Sequence, residues 1–292
     1  MIAAAILGLA LVAFLVLAGA QRAGATFPGA NGRIAFDSDR DGDFEIFRMN
    51  DDGTGQRQLT DNTANDYGAS YAPNSGRIAF QSDRTGDFDL FAMRANGSHE
   101  RNLTKNPATD DEPAFSPNGR RIVFDSNRDG DYDIYVMRAD GTHVRQLTNN
   151  PGNDAVPTFS PRGDSIAFVS DRGGMFDLFL MKADGSHERD IRPDKATENY
   201  PSFSPSGGRI AFERRQGADD IEVAVARING SKLKVLTDND DEDFAPVFSP
   251  DGKKIAYDSL GNIRVMNRDG SHSHRVTLDP NTDEYADWGA RP

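Results

Sequence analysis

The chain has 292 residues, 37% hydrophobic and 27% charged, enough apolar side chain for a sizeable core. Its formal net charge is −13, and so acidic a surface repels phosphate backbones, which sets nucleic acid aside as a partner. There is no cysteine, which excludes disulfides, thiolate nucleophiles, cysteine-bound zinc and a lipid-modified N-terminal cysteine.

The first element is an uncharged apolar run from Ile2 to Ala20, followed by small residues at Ala18-Gly19-Ala20 and Ala23-Gly24-Ala25. This reads as a secretory signal over 1–25, cut after Ala20 or Ala25. The run is also long enough to span a bilayer, and no Lys or Arg precedes it, so an uncleaved N-terminal anchor is the alternative. Either reading places the rest of the chain outside the cytoplasm, as a secreted, periplasmic or cell-envelope protein. A membrane enters only through that segment.

Residues 26–292 are one unit written six times. Arg33-Ile34-Ala35-Phe36 returns as Arg77-Ile78-Ala79-Phe80, Arg121-Ile122-Val123-Phe124, Ser165-Ile166-Ala167-Phe168, Arg209-Ile210-Ala211-Phe212 and Lys254-Ile255-Ala256-Tyr257, at spacings of 44, 44, 44, 44 and 45. Each unit holds four short runs of strand character separated by turn residues. The runs are typified by Pro113–Pro117, Arg121–Phe124, Asp133–Met137 and Arg145–Thr148. Asp-Gly or Asn-Gly lies between runs three and four, as at Asp140-Gly141, and accepts the positive φ of a tight hairpin. Ser-Pro-x-Gly lies between runs one and two, as at Ser249 to Gly252.

The predicted unit is a four-stranded antiparallel meander. One such sheet cannot bury both faces, but six packed radially can, which makes the fold class all-β and the architecture a six-bladed β-propeller. The first unit lacks a leading strand, while Trp288 follows the last Leu-Thr pair at the spacing that Phe115, Phe159 and Phe248 keep in theirs. The C-terminal strand is therefore expected to pair into blade one and close the ring, hiding its open edges. Phe115, Phe159, Phe203, Phe248 and Trp288 are read as core between blades.

The pattern Pro-x-Phe-Ser-Pro-x-Gly, then Ile-Ala-Phe-x-Ser-Asp-Arg-x-Gly, Ile-Phe-x-Met, Asp-Gly and Leu-Thr resembles the WD40-like repeat of TolB-type propellers, over about residues 27 to 290. The resemblance implies a six-bladed propeller of the cell envelope that binds another protein at its central tunnel. The family's Tol-Pal member also carries an N-terminal α/β domain; here the ring follows the apolar segment directly, so a place in a Tol-Pal system is not implied.

Alternate loops of a meander share one end. The loops between blades and those joining strands two and three hold 34 acids and 8 bases, a sum of −26, which leaves +13 for the rest of the chain. One end should be strongly acidic. Five residues before each inner-strand aromatic stands a carboxylate: Asp66, Asp110, Asp154, Glu198, Asp243 and Asp283. Asx turns account for acids at such positions. Yet Asn never replaces them, and Glu198 is a poor Asx residue. A carboxylate ring at the channel mouth would hold a cation or a basic peptide segment. Crowding would raise some of their pKa values unless a cation or an Arg compensates.

Asp37-Ser38-Asp39-Arg40-Asp41-Gly42 and Asp125-Ser126-Asn127-Arg128-Asp129-Gly130 have hard oxygens at alternate positions before a glycine, the first half of a calcium loop. Asp37, Asp39, Asp41, Asp125, Asn127 and Asp129 are the candidate ligands, for Ca²⁺. Hairpin loops with Asp–Arg pairing through Arg40 and Arg128 explain the same residues. His99, His143, His187 and His272 fall on different blades at the rim and cannot converge, and no activated serine is evident. The expected molecule is a non-enzymatic, monomeric binding platform for a basic protein or peptide. The alternative is a Ca²⁺-dependent phosphoester or lactone hydrolase, for which the acids Asp238 to Asp243 beside Asp279 and Asp283 form the best asymmetric candidate.

Overall fold

The computed structural model describes residues 27–192, 196–216, 220–278 and 280–291. The expected signal or anchor over 1–25 lies outside them, as does Asp279. Twenty-four strands form six four-stranded antiparallel sheets. Blade one is built from β1 (Asn31–Ser38), β2 (Glu45–Met49) and β3 (Arg57–Gln58), with an innermost strand from the other end of the chain. Blade two runs β4 (Asp66–Tyr71), β5 (Arg77–Ser82), β6 (Asp89–Arg94) and β7 (Arg101–Asn102). Blade three runs β8 (Asp110–Phe115), β9 (Arg121–Ser126), β10 (Asp133–Arg138) and β11 (Arg145–Gln146). Blade four runs β12 (Asp154–Phe159), β13 (Ser165–Ser170), β14 (Asp177–Lys182) and β15 (Arg189–Asp190). Blade five runs β16 (Ala196–Phe203), β17 (Arg209–Gln216), β18 (Glu222–Arg227) and β19 (Lys234–Val235). Blade six runs β20 (Asp243–Phe248), β21 (Lys254–Ser259), β22 (Asn262–Asn267) and β23 (His274–Arg275).

The last strand, β24 (Asp283–Ala290), pairs with β1, setting Ile34 opposite Trp288 and Ser38 opposite Asp283. It is the inner strand of blade one, as the missing first run required. Each inner strand touches the next around a closed circle, β4 to β8, β12, β16, β20, β24 and back to β4.

Packing blades face to face buries both faces of each second strand, so Ile122, Val123 and Phe124 are all fully buried although they alternate. The inner-strand aromatics Phe115, Phe159, Phe203, Phe248 and Trp288 are buried too. The turns between strands three and four serve two purposes. At Asp140-Gly141 the Asp Oδ1 accepts from Thr142 N at 3.0 Å, and Gly141 sits at φ 85°. A Cβ on Gly141 would lie 2.5 Å from the carbonyl oxygen of Leu103 in the preceding blade. Glycine is thus needed both for the turn and for the seam.

Candidate functional site

The six predicted carboxylates open the inner strands around one end of the ring; Asp66, Asp110, Asp154, Asp243 and Asp283 are the first residues of theirs, and Glu198 lies near the start of β16. All six are buried. Strand alternation turns them away from the axis, into the body of their own blades, where five meet an arginine. Arg40 reaches Asp283 at 2.7 Å, Arg84 reaches Asp66 at 2.7 Å, Arg128 reaches Asp110 at 2.5 Å and Arg172 reaches Asp154 at 2.8 Å. Glu198 meets Arg214 at 2.5 Å and Arg192 at 3.2 Å. Asp243 is instead held by Asn239 Nδ2 at 2.7 Å, and Asn62, Asn106 and Asn150 donate to Asp66, Asp110 and Asp154 in the same way.

The repeated Phe-x-Ser-x-Arg thereby acquires a physical meaning. Arg84 lies over the ring of Phe91 with its Cζ 4.6 Å from the centroid, its Nε donates to Ser82 Oγ at 2.8 Å, and its Nη2 caps Asp66. Arg40, Arg128 and Arg172 repeat the arrangement over Phe47, Tyr135 and Phe179. The ring is a set of buckles within blades. The Asp154 carboxyl is displaced upward, because burial outweighs its bonds to Ser170 and Arg172.

The side chains that face the mouth come one residue later: Tyr67, Asp111, Ala155, Asn199, Phe244 and Glu284, all half-buried. A bulge then interrupts every inner strand. The residue at each bulge has positive φ: Gly68, Glu112, Val156, Tyr200, Ala245 and Tyr285, between 48° and 64°. Only the first is glycine, so five side-chain-bearing residues are held in a conformation they rarely adopt.

What holds them is a second set of side chains, reaching from the preceding blade. Asp37 Oδ2 accepts from Gly68 N at 2.8 Å, Gln81 Oε1 from Glu112 N at 2.9 Å, and Asp125 Oδ2 from Val156 N at 2.7 Å. Glu213 Oε1 accepts from Ala245 N and Asp258 Oδ2 from Tyr285 N, both at 2.7 Å. The seam between blades four and five has Val169 at this position, and Tyr200 N is met by Asn199 Oδ1 at 3.1 Å instead.

The bulge side chains converge behind the mouth. Tyr200 and Tyr285 belong to blades that are not neighbours, yet their ring centroids lie 6.4 Å apart, and Phe244 stands 6.1 Å from Tyr285. Glu112, Val156, Tyr200, Ala245 and Tyr285 are all buried. In this acidic, buried layer the carboxyl pKa values are raised. Burial pushes Glu213 up to about 8 and Asp258 well above the usual range. Asp125 is raised by burial and then by Asp111, while Asp111 itself, desolvated and beside Asp110, stands at about 7. Glu284 is also pushed to about 7, by burial and by Asp39. Oδ1 of Asp125 and of Asp258 are buried without a hydrogen-bond partner. Around the mouth half-buried Phe44, Tyr67 and Phe88 form an aromatic run, with centroids 4.8 Å and 6.1 Å apart.

The two calcium-like loops do not gather their oxygens. Asp37 and Asp125 point inward to the neighbouring blade, as above. Asp39 Oδ1 accepts from Thr282 N at 2.8 Å and Asn127 Oδ1 from Thr109 N at 3.0 Å. Asp41 and Asp129 each bind a glutamine of the outer strand, Gln58 and Gln146. The physical reason is that the first residue of each loop still belongs to a strand, so successive acids serve different partners. One ligand-sized acidic group occurs among the described residues, Asp129, Asp131 and Asp133, with oxygens within 4.8 Å. Gln146 already bridges Asp129 and Asp133, and burial lifts Asp133 to about 6. The five histidines are exposed and distant from the mouth, and four of them follow the Asx-Gly turns.

Asp111, Glu213, Asp258 and Glu284 escaped the sequence reading. An acid recurring at the start of every inner strand does not reveal which way it points, and it is the residue after it that is half-buried at the mouth. The signal present was Asp37, Asp125, Glu213 and Asp258 recurring after the Ile-Ala-Phe run, an acid in the middle of a buried strand.

Comparisons with known proteins agree with this architecture. TolB from Acinetobacter baumannii is 21% identical, with a TM-score of 0.79 over 96% of this chain and 70% of that one. A TolB from Agrobacterium tumefaciens, described as putative, is 19% identical, with a TM-score of 0.70 over 89% and 92%. An oligogalacturonate lyase from Vibrio parahaemolyticus is 13% identical, with a TM-score of 0.60 over 88% and 78%. At these identities the likenesses speak for the fold alone. No curated protein matches the chain. The family model of the TolB β-propeller domain matches residues 103–290, well over half of the sequence, and the chain belongs to that family.

Proposed function

We propose that this propeller is an exported binding platform whose acidic mouth receives a basic segment of a partner protein. The observation that carries the reading is that two half-buried carboxyls of the mouth, Asp111 beside Gln81 and Asp110 and Glu284 near Tyr67, are both displaced to about 7 by burial, at a mouth that also carries the aromatic run Phe44, Tyr67 and Phe88. A lysine or arginine entering there gains carboxylate and ring contacts in a site that has already shed much of its water. Asp66, Asp110, Asp154, Glu198, Asp243 and Asp283 serve this mouth from beneath, fixing its loops through their arginine and asparagine buckles.

Two consequences follow from the charge. Association with a lysine-rich peptide weakens as salt rises. A bound cation favours ionised carboxyls, so affinity rises with pH between 6 and 8 as Asp111 and Glu284 lose their protons. Changing Asp111→Asn together with Glu284→Gln is expected to lower the affinity about tenfold, flatten the salt dependence and remove the pH dependence, as read by titration calorimetry with a polylysine peptide. Unchanged salt and pH profiles in the double variant would overturn the reading.

The rival is metal-assisted hydrolysis, favoured by the Asp129, Asp131 and Asp133 group and by an enzyme among the similar folds. That group stands in a hairpin loop of blade three and draws no residue from the mouth. A calcium-dependent rise in melting temperature accompanied by turnover of a phosphoester or lactone would put the rival ahead.

A further inference from the structure

The repeat lets each position of the mouth be compared across blades, and blade four departs from the rest. Blade three carries Asp111, Glu112, Asp125 and Asp131 at this end; the same four positions of blade four are Ala155, Val156, Val169 and Met175. Every other blade keeps at least one acid in this set. The correspondence is structural as well as written. Asp111 and Asp125 are cross-strand partners in blade three, as Ala155 and Val169 are in blade four. Asp131 and Met175 each precede an aromatic, Tyr132 or Phe176, whose carbonyl accepts from the next blade, from Asp154 N at 2.7 Å or Glu198 N at 2.8 Å. In blades one, two and five an aspartate again holds this place, at Asp43, Asp87 and Asp220.

Val156, Val169 and Phe176 are buried in one apolar cluster, with half-buried Ala155 packed on it, so packing accounts for them. Packing does not account for Met175, which is 41% exposed, its Sδ 3.9 Å from Thr197 Oγ1 at the start of blade five. A lone exposed apolar residue needs no explanation. Four acids exchanged together on one blade, with two of the replacements reaching the surface beside the mouth, do need one. The charges left at this end of blade four are engaged: Asp171 accepts from Asn153 N and Nδ2 at 2.7 and 2.8 Å, and Arg172 pairs with Asp154 and Glu188. Asp177, half-buried, keeps the place of Asp133.

We propose that blade four is the apolar half of the recognition surface, and that the partner's basic segment carries a large aliphatic side chain about two residues from the cation met by the acids of blade three. This rests on the reading that the mouth receives a basic segment. The inner strands β8 and β12 come within 8 Å between Cα atoms, a step that an extended chain covers in about two residues. Methionine, unbranched and polarizable, adapts to an aliphatic neighbour without demanding one shape. A second copy of this chain is the poorer occupant, because it would bring an equally acidic end against this one.

The test is titration calorimetry with decalysine, with decalysine in which one central lysine is replaced by leucine, and with the same peptide carrying serine there. Charge alone ranks the two substituted peptides equal, and both below decalysine. On the proposal the leucine peptide binds the parent about tenfold more tightly than the serine peptide. Met175→Gln removes the apolar surface without a change of charge and should bring the leucine peptide down to the affinity of the serine peptide, whereas Met175→Leu should keep them apart. Position 175 is exposed, so neither exchange touches the core, and the emission of Trp288, buried in the closing strand, checks the fold. Equal affinities of the leucine and serine peptides for the parent, with decalysine still bound in a salt-dependent way, would overturn the aliphatic contact and leave the reading of the mouth standing. Absence of salt-dependent binding by all three peptides would overturn both. A leucine advantage that survives Met175→Gln in full would remove blade four from the account, as would self-association of the parent that Met175→Gln abolishes.

Discussion

At the residue scale, the buckle between Arg128 and Asp110 shows how one side chain serves several bonds. Its Nη2 caps a carboxylate with no exposed surface, its Nε binds Ser126 at 3.0 Å, and its plane lies over Tyr135. Removing the cation leaves a buried charge with Asn106 as its remaining named donor. Arg128→Met keeps the stem packed on Tyr135 and isolates the charge. It is expected to cost about 2–4 kcal/mol, read as a lower urea midpoint, because an uncompensated buried ion is expensive. Asp110→Asn should cost less than half of that, since no charge is stranded. If the two variants lost the same stability, a stranded buried carboxylate would not be the cause of the loss. The sequence displayed both partners but suggested that Arg40 and Arg128 pair with the acids of their own hairpin loops, whereas they reach the ring acids Asp283 and Asp110. The pairing depends on a side chain reaching back across its own blade, and the constant separation of 18 residues in Asp66–Arg84, Asp110–Arg128 and Asp154–Arg172 was the signal for it.

At the scale of the element, the inner strand is the unit where reading by period breaks down. Residues alternate until the bulge, after which the facing set shifts by one, and a bulge occupied by Glu112, Val156, Tyr200 or Tyr285 carries no glycine to announce it. The bulge N–H must find an acceptor, and in five seams the preceding blade supplies one. In the seam between blades four and five Val169 stands in place of the acceptor, and Tyr200 N turns to Asn199 Oδ1 of its own strand. Asp258 separates charge from acceptor. Asp258→Asn keeps an oxygen for Tyr285 N and removes an ionisable group from a buried site, so at pH 8 its stability should match or exceed that of the parent. Asp258→Ala leaves the N–H buried and unmet, with an expected loss of about 1–3 kcal/mol. Equal melting temperatures for the two variants would remove the latch from the account of how β24 is held.

At the scale of the whole molecule, the circle itself was legible, because six copies of one pattern and one missing strand leave little choice of topology. What the count of −26 could not reveal is that several of these carboxyls are raised toward or above neutrality by burial. Glu213 and Glu45 stand at about 8, Asp111 and Glu284 at about 7, and burial is the first cause in every case. In the unfolded chain these groups ionise near 4, so between about pH 4.5 and 8 the folded state binds more protons than the unfolded state. A carboxyl with a raised folded pKa contributes its stability fully below the unfolded value and loses it as pH climbs through the folded one. Each such group is expected to withdraw at most about 1 kcal/mol per pH unit across that window, less for Asp111 and Glu284, which water still reaches. The propeller should therefore melt at a higher temperature at pH 5.5 than at pH 8.5, the reverse of a protein held by exposed ion pairs. The general repulsion of an anionic chain acts in the same direction, so the local cause needs its own control. Glu213→Gln retains an oxygen for Ala245 N and cannot ionise; its melting temperature should fall less steeply between pH 5.5 and 8.5 than that of the parent. Parallel pH profiles would assign the effect to net charge and take the buried carboxyls out of the explanation.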